Sequence, residues 1–361
     1  MTGGVRVILA GTDPDRPRGG IAVAIPGYRR ALEAAGLFAE FIPTYHRRSP
    51  RGRWEPALAA VPAVRRAVQR IRAAGEVPVV WGHAGAMPSM IRKAVLLAVA
   101  RAAGARTVLQ VHAPEAATYG RTAAGRLALR TLLKGHAFVG ALTPWWRSFL
   151  AGVGVTTPLF VIPNPLPPDA ERALEYVTRP PAGPPTIVTM ARLESGKGVD
   201  LLIRSFARLA PPTRLVVAGT GSRGRELEAL AAREGVAERV TFAGWVSGDA
   251  KEALLRSAHV FALPTTGDSF CMGLIEAMSR GVPVVALRWG AIPDVVPDGR
   301  VGWLADAPTP EAVAGALQRT LDADRDRLAE GARAWVRETY MPAVIGARFA
   351  AALRDAGIGH V

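Results

Sequence analysis

The stretch GDSFCMGLIEAMSRGVPVVA, residues 267–286, follows an apolar strand that ends at Pro264 and leads into a helix containing LIEAM. It carries two acids eight positions apart, Asp268 in the loop and Glu276 inside the helix. Acids near a helix start complement the helix dipole, and the backbone N–H groups there can bind sugar hydroxyls or phosphate oxygens. The stretch therefore predicts a strand–loop–helix unit with a ligand site in its loop.

Apolar runs of strand length alternate with helix-like stretches along the whole chain, which is typical of parallel α/β sheets. A chain of 361 residues suits two domains. We expect an N-terminal domain over 1–167, a proline-rich, irregular linker over 168–185 and a C-terminal domain over 186–339. Both domains are expected to be doubly wound, Rossmann-like sheets that face each other across a cleft, where ligands of such sheets bind.

The composition is that of a globular protein, with 49% hydrophobic and 21% charged residues. One cysteine, Cys271, excludes an internal disulfide and fits a reducing cytosol. The N-terminus lacks the features of a secretory signal, and the apolar run at 94–100 is far shorter than the roughly 20 residues that span a bilayer. We therefore expect a cytoplasmic protein that is soluble or peripheral to a membrane.

The net charge of +15 lies almost entirely in the first half. Residues 1–180 hold 24 Lys and Arg against 10 Asp and Glu, whereas residues 181–361 hold 21 against 20. This imbalance favours an anionic partner for the first half, such as a membrane surface, a phosphorylated lipid or nucleic acid. The alternative is that a GC-rich coding sequence favours arginine codons, which would produce this charge without any role in binding.

Many of these basic residues are arginines between residues 45 and 75, in a loop that contains a tryptophan and in the amphipathic helix that follows it. Such a helix suits the anionic inner face of the cytoplasmic membrane, and a solvated arginine-rich helix is the alternative. The residues expected to meet the membrane are Arg47, Arg48, Trp54, Arg65 and Arg66.

Two further segments indicate phosphate chemistry. In MARLESGKG, Arg192 follows a strand and Lys197 stands at the start of the next helix, so the two cations could clamp a diphosphate and stabilise charge as it departs. An exposed turn with ordinary basic residues is the alternative. The glycines of LVVAGTGSRG form a G-x-G-x-x-G, but the following strand does not end in the acid that an NAD enzyme needs.

Taken together, these motifs resemble those of the retaining glycosyltransferases of family 4, which have the GT-B fold. The family signature Glu-x7-Glu, in a context like EGFG…LEAMAxGxPVV, corresponds here to DSFCMGLIEAMSRGVPVV, and GRLxxxKG corresponds to the segment with Arg192 and Lys197. VAGTG and an N-terminal glycine pair match as well, so the resemblance covers nearly the whole chain. In this fold the final helix, expected within 340–361, crosses back to the N-terminal domain.

The resemblance implies that Arg192 and Lys197 hold the donor diphosphate, that Glu276 binds the ribose, and that Asp268 holds the transferred sugar. His112 stands where the family places a histidine near the reacting sugar, with a buried structural histidine as the alternative. The other donor-binding residues implied are Gly19, Gly20, Gly219, Phe270, Cys271, Met272, Gly273 and Leu274.

The sequence departs from the family pattern at two of these positions. Asp268 is shorter by one methylene than the family's glutamate, and Cys271 replaces a common glycine. We expect these departures to alter the sugar contact or the width of the sugar pocket without abolishing activity.

The segment HAGAMPSMIRKAVLLAVARAAGARTVLQVHAPE, residues 83–115, resembles a polysaccharide-assembly branch of the family. A helix with Arg-Lys can also be a plain solvated face. The resemblance implies that the following residues face the acceptor: His83, Ser89, Arg92, Lys93 and Tyr119.

The sequence thus predicts a retaining transfer of a sugar from a nucleoside-diphosphate sugar to a hydroxyl of a lipid-linked or growing glycan. No metal or other cofactor is expected, because two cations already neutralise the diphosphate. The alternatives are an epimerase or phosphorylase of the same fold, a non-catalytic scaffold that binds a membrane or nucleic acid, and a disfavoured NAD enzyme.

Overall fold

The structure is a computed structural model, and it describes residues 4–14, 19–45, 54–176 and 182–359. The chain divides into two compact units. The first comprises Met1–Pro168 together with Thr339–Val361, and the second comprises Asp169–Glu338.

The first unit is built on a six-stranded parallel sheet in the order β2-β1-β3-β4-β5-β6. Its strands are β1 Val5–Thr12, β2 Phe38–Tyr45, β3 Val77–Ala84, β4 Arg106–Val111, β5 Phe138–Ala141 and β6 Leu159–Val161. The helices between them are α1 Gly20–Ala34, α2 Glu55–Ala73, α3 Met87–Ala102, α4 Ala116–Tyr119, α5 Ala123–Leu132 and α6 Pro144–Gly152. The middle strands β3 and β4 are buried along most of their length because helices cover both faces of the sheet.

The second unit repeats this architecture with the strand order β12-β11-β10-β7-β8-β9, again all parallel. Its strands are β7 Thr186–Met190, β8 Arg214–Ala218, β9 Val240–Gly244, β10 Val260–Leu263, β11 Val284–Leu287 and β12 Gly302–Ala305. Its helices are α7 Pro168–Ala173, α8 Val199–Phe206, α9 Gly224–Arg233, α10 Gly248–Ser257, α11 Met272–Ser279, α12 Ile292–Val295, α13 Pro310–Asp322 and α14 Arg325–Tyr340, with a 3₁₀ turn at Ala237–Arg239.

Strands β7 and β10 are neighbours in the middle of the second sheet, where Ile187 pairs with Val260 and Val188 with Phe261. The order in which strands are added to the sheet changes side at this point, since β8 and β9 follow on one side of β7 and β11 and β12 follow on the other side of β10. The loops that follow β7 and β10 therefore emerge side by side at the carboxyl edge, which is the ligand-binding edge of a doubly wound sheet.

The last helix, α15, runs over Pro342–Asp355 and belongs to the first unit. It packs along α1 so closely that a Cβ on Gly346 would lie 2.2 Å from the carbonyl oxygen of Ala31. Its Phe349 ring stacks on Trp81 with ring centroids 3.9 Å apart. Pro342 is the reason that α14 and α15 are separate helices, since a proline disfavours helical geometry in the residue before it.

The prediction that residues 168–185 are irregular was wrong for their first part, because α7 occupies Pro168–Ala173. A proline is tolerated in the first turn of a helix, and Asp169 and Glu171 add favourable negative charge there. Across the ranges that the structure describes, no helix combines the length and the apolar character needed to cross a membrane.

Candidate active site

Two loops at the carboxyl edge of the second sheet are joined through the carbonyl oxygen of Gly196. That oxygen accepts the N–H groups of Thr266 and Gly267, both at 3.0 Å, and the hydroxyl of Thr265 at 2.8 Å. Gly198 has a left-handed φ of 72°, and a Cβ there would lie 2.0 Å from the carbonyl oxygen of Pro264. The glycines in SGKG therefore let the loop after β7 pack directly on the loop after β10.

This packing brings Lys197 and Asp268 together. The Lys197 Nζ lies 2.5 Å from the Asp268 Oδ1, with the two side chains only 13% and 20% exposed. Both residues were predicted to bind the donor, but nothing in the sequence indicated that they form an ion pair. Arg192 stands two residues beyond β7 with an exposed side chain, so the carboxyl edge presents two cations of different burial.

Glu276 lies one turn inside α11 and is only 6% exposed. Its Oε2 is 2.7 Å from the Nζ of Lys251, which lies 2.6 Å from the Oδ2 of Asp169. Burial alone would lower the pKa of Lys251, but Glu276 and Asp169 outweigh it and raise that pKa. The pKa of Asp169 is lowered because Lys251 and Arg280 outweigh the opposing effect of burial.

Arg280, whose side chain is fully buried, closes this network from the other side. Its Nη2 lies 2.5 Å from the Oε2 of Glu252 and 3.4 Å from the Oδ2 of Asp169, and its Nη1 donates to the backbone oxygen of Glu276 at 2.9 Å. The sequence analysis missed Asp169 and Lys251, which are remote from Glu276 in the chain. Only the pairing of two acids with one half-buried lysine, visible in three dimensions, identifies them.

Cys271 precedes α11 and is the only residue other than glycine, within the part of the chain that the structure describes, with a positive φ, 66°. Burial, followed by the charge of Asp268, raises the pKa of its thiol, so the thiol stays protonated. The neighbouring side chains of Phe270, Met272 and Leu274 are buried in the core. Any ligand contact from these three residues would therefore come from their backbone.

The glycine-rich loop after β8 packs on the backbone after β7. A Cβ on Gly219 would lie 1.8 Å from the carbonyl oxygen of Ala191, and one on Gly221 would lie 2.3 Å from that of Leu193. Close packing of the backbone therefore explains why both positions are glycine.

In the first unit, His83 and His112 form a buried pair at the carboxyl ends of β3 and β4. Nδ1 of His83 and Nε2 of His112 are 2.9 Å apart, and the two residues are 1% and 6% exposed. Burial lowers the pKa of His112 to about 3, and burial with the charges of His112 and Lys93 places the pKa of His83 well below its ordinary value. Both imidazoles are therefore neutral at pH 7.

The other residues predicted on the acceptor side are differently placed. Arg92 and Lys93 are buried at 7% and 3% exposure, so the alternative of a solvated Arg-Lys face is wrong. The half-buried Tyr119 accepts a hydrogen bond from the Met87 N–H at 3.3 Å, and Ser89 accepts one from the Gly85 N–H at 3.2 Å.

Of the residues predicted to meet a membrane, Trp54, Arg65 and Arg66 are exposed at the start and along the outer face of α2. Arg47 and Arg48 lie outside the described residues. The glycine pair predicted to approach the donor, Gly19 and Gly20, is exposed at the start of α1, where Gly19 has a φ of 131°.

The chain matches the family described as Glycosyl transferases group 1 over residues 173–335. It is 30% identical over 308 residues to the GDP-mannose-dependent alpha-(1-6)-phosphatidylinositol monomannoside mannosyltransferase of Mycolicibacterium smegmatis, a match that covers 80% of this chain and 79% of that protein. Sucrose-phosphate synthase from Thermosynechococcus elongatus has a similar structure, with a TM-score of 0.72, 20% identity and coverage of 97% of this chain and 98% of the other. Anabaena HepE in complex with UDP gives a TM-score of 0.70, 17% identity and coverage of 97% and 100%.

The similarity to the mannosyltransferase extends over both units, and the solved structures share the arrangement of two parallel six-stranded sheets. The family and the GT-B fold expected from the sequence are thereby confirmed. The chain therefore belongs to the group 1 glycosyltransferases, the family 4 type with the GT-B fold.

Proposed function

We propose that this glycosyltransferase moves a sugar, with retention of configuration, from a nucleoside-diphosphate sugar to a hydroxyl of a lipid-linked or growing glycan. The observation that carries the proposal is the joined pair of loops that holds Lys197 beside Asp268, with Arg192 exposed on the same edge. The mannosyltransferase relative is named as GDP-mannose-dependent, and the HepE structure contains UDP. Both names support a nucleoside-diphosphate donor here.

In the proposed reaction, the bond between the anomeric carbon and the diphosphate oxygen breaks first, and its electron pair leaves with the diphosphate. Arg192 and Lys197 stabilise the departing charge. An ammonium group has three N–H donors, so Lys197 can keep its contact with Asp268 and still donate to phosphate oxygens. The acceptor hydroxyl then attacks the same face of the sugar and passes its proton to the leaving phosphate.

Glu276 is proposed to accept hydrogen bonds from the hydroxyls of the ribose. Its Oε2 lies 2.7 Å from the Nζ of Lys251, and this contact fixes the direction of the buried carboxylate. Asp268 is proposed to bind the transferred sugar. His112 is neutral, so it is proposed to act as a hydrogen-bonding group rather than as a cation.

A lipid-linked acceptor is supported by the outer surface of α2 and α3. Trp54, which precedes α2, is 46% exposed, and Leu58 on α2 is 63% exposed. Ile91 and Val95 on α3 are 40% and 50% exposed. Arg65 and Arg66 are exposed farther along α2. Apolar side chains flanked by arginines suit the anionic surface of a bilayer, and the mannosyltransferase relative is named for a phosphatidylinositol acceptor.

A ligand panel tests the donor. The thermal unfolding of wild type, Arg192→Ala and the control Arg204→Ala is measured with UDP, GDP, ADP, TDP and their sugars, without added metal. A ligand at about 100 times its Kd adds roughly 2.7 kcal/mol, which shifts the transition by a few degrees. We expect one nucleotide family to raise the unfolding temperature of wild type and of Arg204→Ala, since the surface ion pair of Arg204 lies away from the site. The same nucleotides should leave the unfolding temperature of Arg192→Ala unchanged. A panel without any shift would refute the proposed donor.

Vesicle sedimentation tests the membrane contact. Wild type should sediment with vesicles that contain phosphatidylglycerol and stay in solution with vesicles of phosphatidylcholine alone. Charge reversal in Arg65→Glu/Arg66→Glu should abolish the sedimentation, and sedimentation of this double variant as strongly as wild type would refute docking through α2.

A further inference from the structure

Lys251 on α10 is held between two carboxylates from different helices of the second unit. Its Nζ lies 2.7 Å from the Oε2 of Glu276 on α11 and 2.6 Å from the Oδ2 of Asp169 on α7. Burial alone would lower the pKa of Lys251, but the two acids outweigh burial and raise it, so the amine stays protonated at pH 7. One carboxylate would suffice to neutralise this lysine, so the second acid requires a reason.

The two acids fix the direction of the third N–H of this lysine. An ammonium group has three N–H donors in a tetrahedral arrangement, and two of them serve Glu276 and Asp169. The third N–H has no hydrogen-bond acceptor within the ranges that the structure describes. Lys251 therefore presents one oriented donor beside the carboxylate of Glu276.

Glu276 offers an acceptor next to this donor. Its Oε2 receives the lysine, whereas its Oε1 has no hydrogen-bond partner among the described residues. The side chain is only 8% exposed, but Oε1 is not one of the fully buried atoms that lack a partner, so this oxygen is accessible from solvent. An N–H donor and a carboxylate acceptor thus stand side by side at one accessible point.

This pair lies at the carboxyl edge of the second sheet. Lys251 is in the first turn of α10 and Glu276 is one turn inside α11, and these two helices follow the carboxyl ends of β9 and β10. The loop after β10 also carries Asp268, which contacts Lys197. The same edge of one sheet therefore holds the proposed diphosphate contacts and the lysine–glutamate pair.

We infer that Lys251 is a ribose-binding residue, which donates its third N–H to the oxygen of a ribose hydroxyl while that hydroxyl donates to the Oε1 of Glu276. The inference rests on the proposed function and narrows its donor to sugar nucleotides with an intact ribose. A hydroxyl fits both groups because it has one donor and two acceptor lone pairs, whereas the CH₂ of a deoxyribose has neither. Asp169 is a positioning residue, because it fixes the direction of Lys251.

Deoxynucleotides measure what Lys251 contributes to the binding of each hydroxyl. Titration calorimetry gives the Kd of UDP, GDP and ADP, and of their 2′-deoxy and 3′-deoxy forms, for wild type and for each variant. Because a hydrogen bond to a charged group is lost, wild type should bind at least one deoxy form roughly 10- to 100-fold more weakly than the ribonucleotide. In Lys251→Met this preference should shrink by roughly 10-fold for at least one of the two hydroxyls.

The variants separate a ligand contact from a structural one. A purely structural Lys251 would change the affinity for ribonucleotide and deoxynucleotide alike and would leave their ratio unchanged. Lys251→Arg keeps a positive charge and N–H donors, so it should retain more of the preference than Lys251→Met. Arg256→Met, which breaks an exposed ion pair on the same helix, should show the wild-type ratio. Where Lys251→Met alone does not fold, Asp169→Asn/Lys251→Met removes one of the two facing acids and tests the same loss.

A ribose preference that shrinks in Lys251→Met supports the inference, and the deoxy form for which it shrinks identifies the hydroxyl that Lys251 binds. Equal affinity of wild type for ribonucleotides and deoxynucleotides, or an unchanged preference in Lys251→Met, overturns it. Nucleotide binding that needs Arg192 but shows no ribose preference overturns this inference and leaves the nucleoside-diphosphate donor standing. Absence of binding by every nucleotide refutes the proposed function, and this inference with it.

Discussion

Replacing Lys251 with methionine should destabilise the second unit more than replacing either of the carboxylates that it binds. Lys251 is the shared cation of Glu276 and Asp169, at 2.7 and 2.6 Å. Because both carboxylate oxygens contact the same Nζ, they are at most about 5 Å apart, and without the lysine their repulsion is about 3 kcal/mol or more at an effective dielectric constant of about 20. Arg280 offsets part of this repulsion through Asp169, whose Oδ2 lies 3.4 Å from its Nη2.

The size of the effect follows from which charge is left unpaired. Lys251→Met leaves the buried Glu276 without its cation, and removing one partner of a buried pair costs roughly 3–5 kcal/mol. Glu276→Gln leaves Lys251 paired with Asp169, so we expect a loss of only about 1–2 kcal/mol. Arg256→Met is the matched control on the same helix, because it breaks only the exposed pair with Glu252 and should cost less than about 1 kcal/mol.

Urea unfolding, followed through tryptophan fluorescence at pH 7 and again near pH 3, measures these differences. The pKa of Asp169 is lowered in the folded chain, so its stabilisation is present above the ordinary value of 3.8 and is lost as the pH falls through the folded value. The gap between wild type and Lys251→Met should therefore shrink in acid. The reasoning is refuted if Lys251→Met costs no more than Arg256→Met, or less than Glu276→Gln.

Three further outcomes are expected. Cys271→Gly should unfold at a denaturant concentration equal to or above that of wild type, because glycine adopts the left-handed φ of 66° without the roughly 1 kcal/mol that other residues lose, while Cys271→Val should lower it. The melting temperature of wild type should fall as the pH is lowered from 6.5 to about 3, because His112 is protonated in the unfolded chain over this range but stays neutral in the folded one. His112→Gln should make this decline less steep, and an unchanged slope would contradict the lowered pKa of His112. Sugar transfer should persist in EDTA, because Arg192 and Lys197 are proposed to neutralise the diphosphate, and a requirement for a divalent cation would show that they do not suffice.

Much of the second unit could be predicted from the sequence because its signals are local. The helix predicted to contain LIEAM is α11, Met272–Ser279, and the helix predicted to start at Lys197 is α8, Val199–Phe206. Apolar strand runs and glycines at turns determine such boundaries over a few residues. Helix α14 was not predicted, and α7 was taken as irregular because prolines crowd its start.

The candidate site was less predictable because its contacts join distant parts of the chain. Lys197 and Asp268 were each identified by motif, but their ion pair depends on β7 and β10 being neighbours in the sheet. Lys251 and Asp169 carry no motif at all. The burial of Lys93 is likewise set by tertiary packing, since a helical Arg-Lys pair usually faces water.

The configuration of the product tests retaining transfer most directly. The donor found by the nucleotide panel is incubated with the enzyme and a lipid-linked glycan acceptor, and the anomeric coupling of the new glycosidic bond is read by proton NMR. We predict that the transferred sugar keeps the anomeric configuration that it had in the donor, and that Arg192→Ala yields no such product. An inverted linkage, or release of the nucleotide with no glycosidic product, would contradict the proposed function.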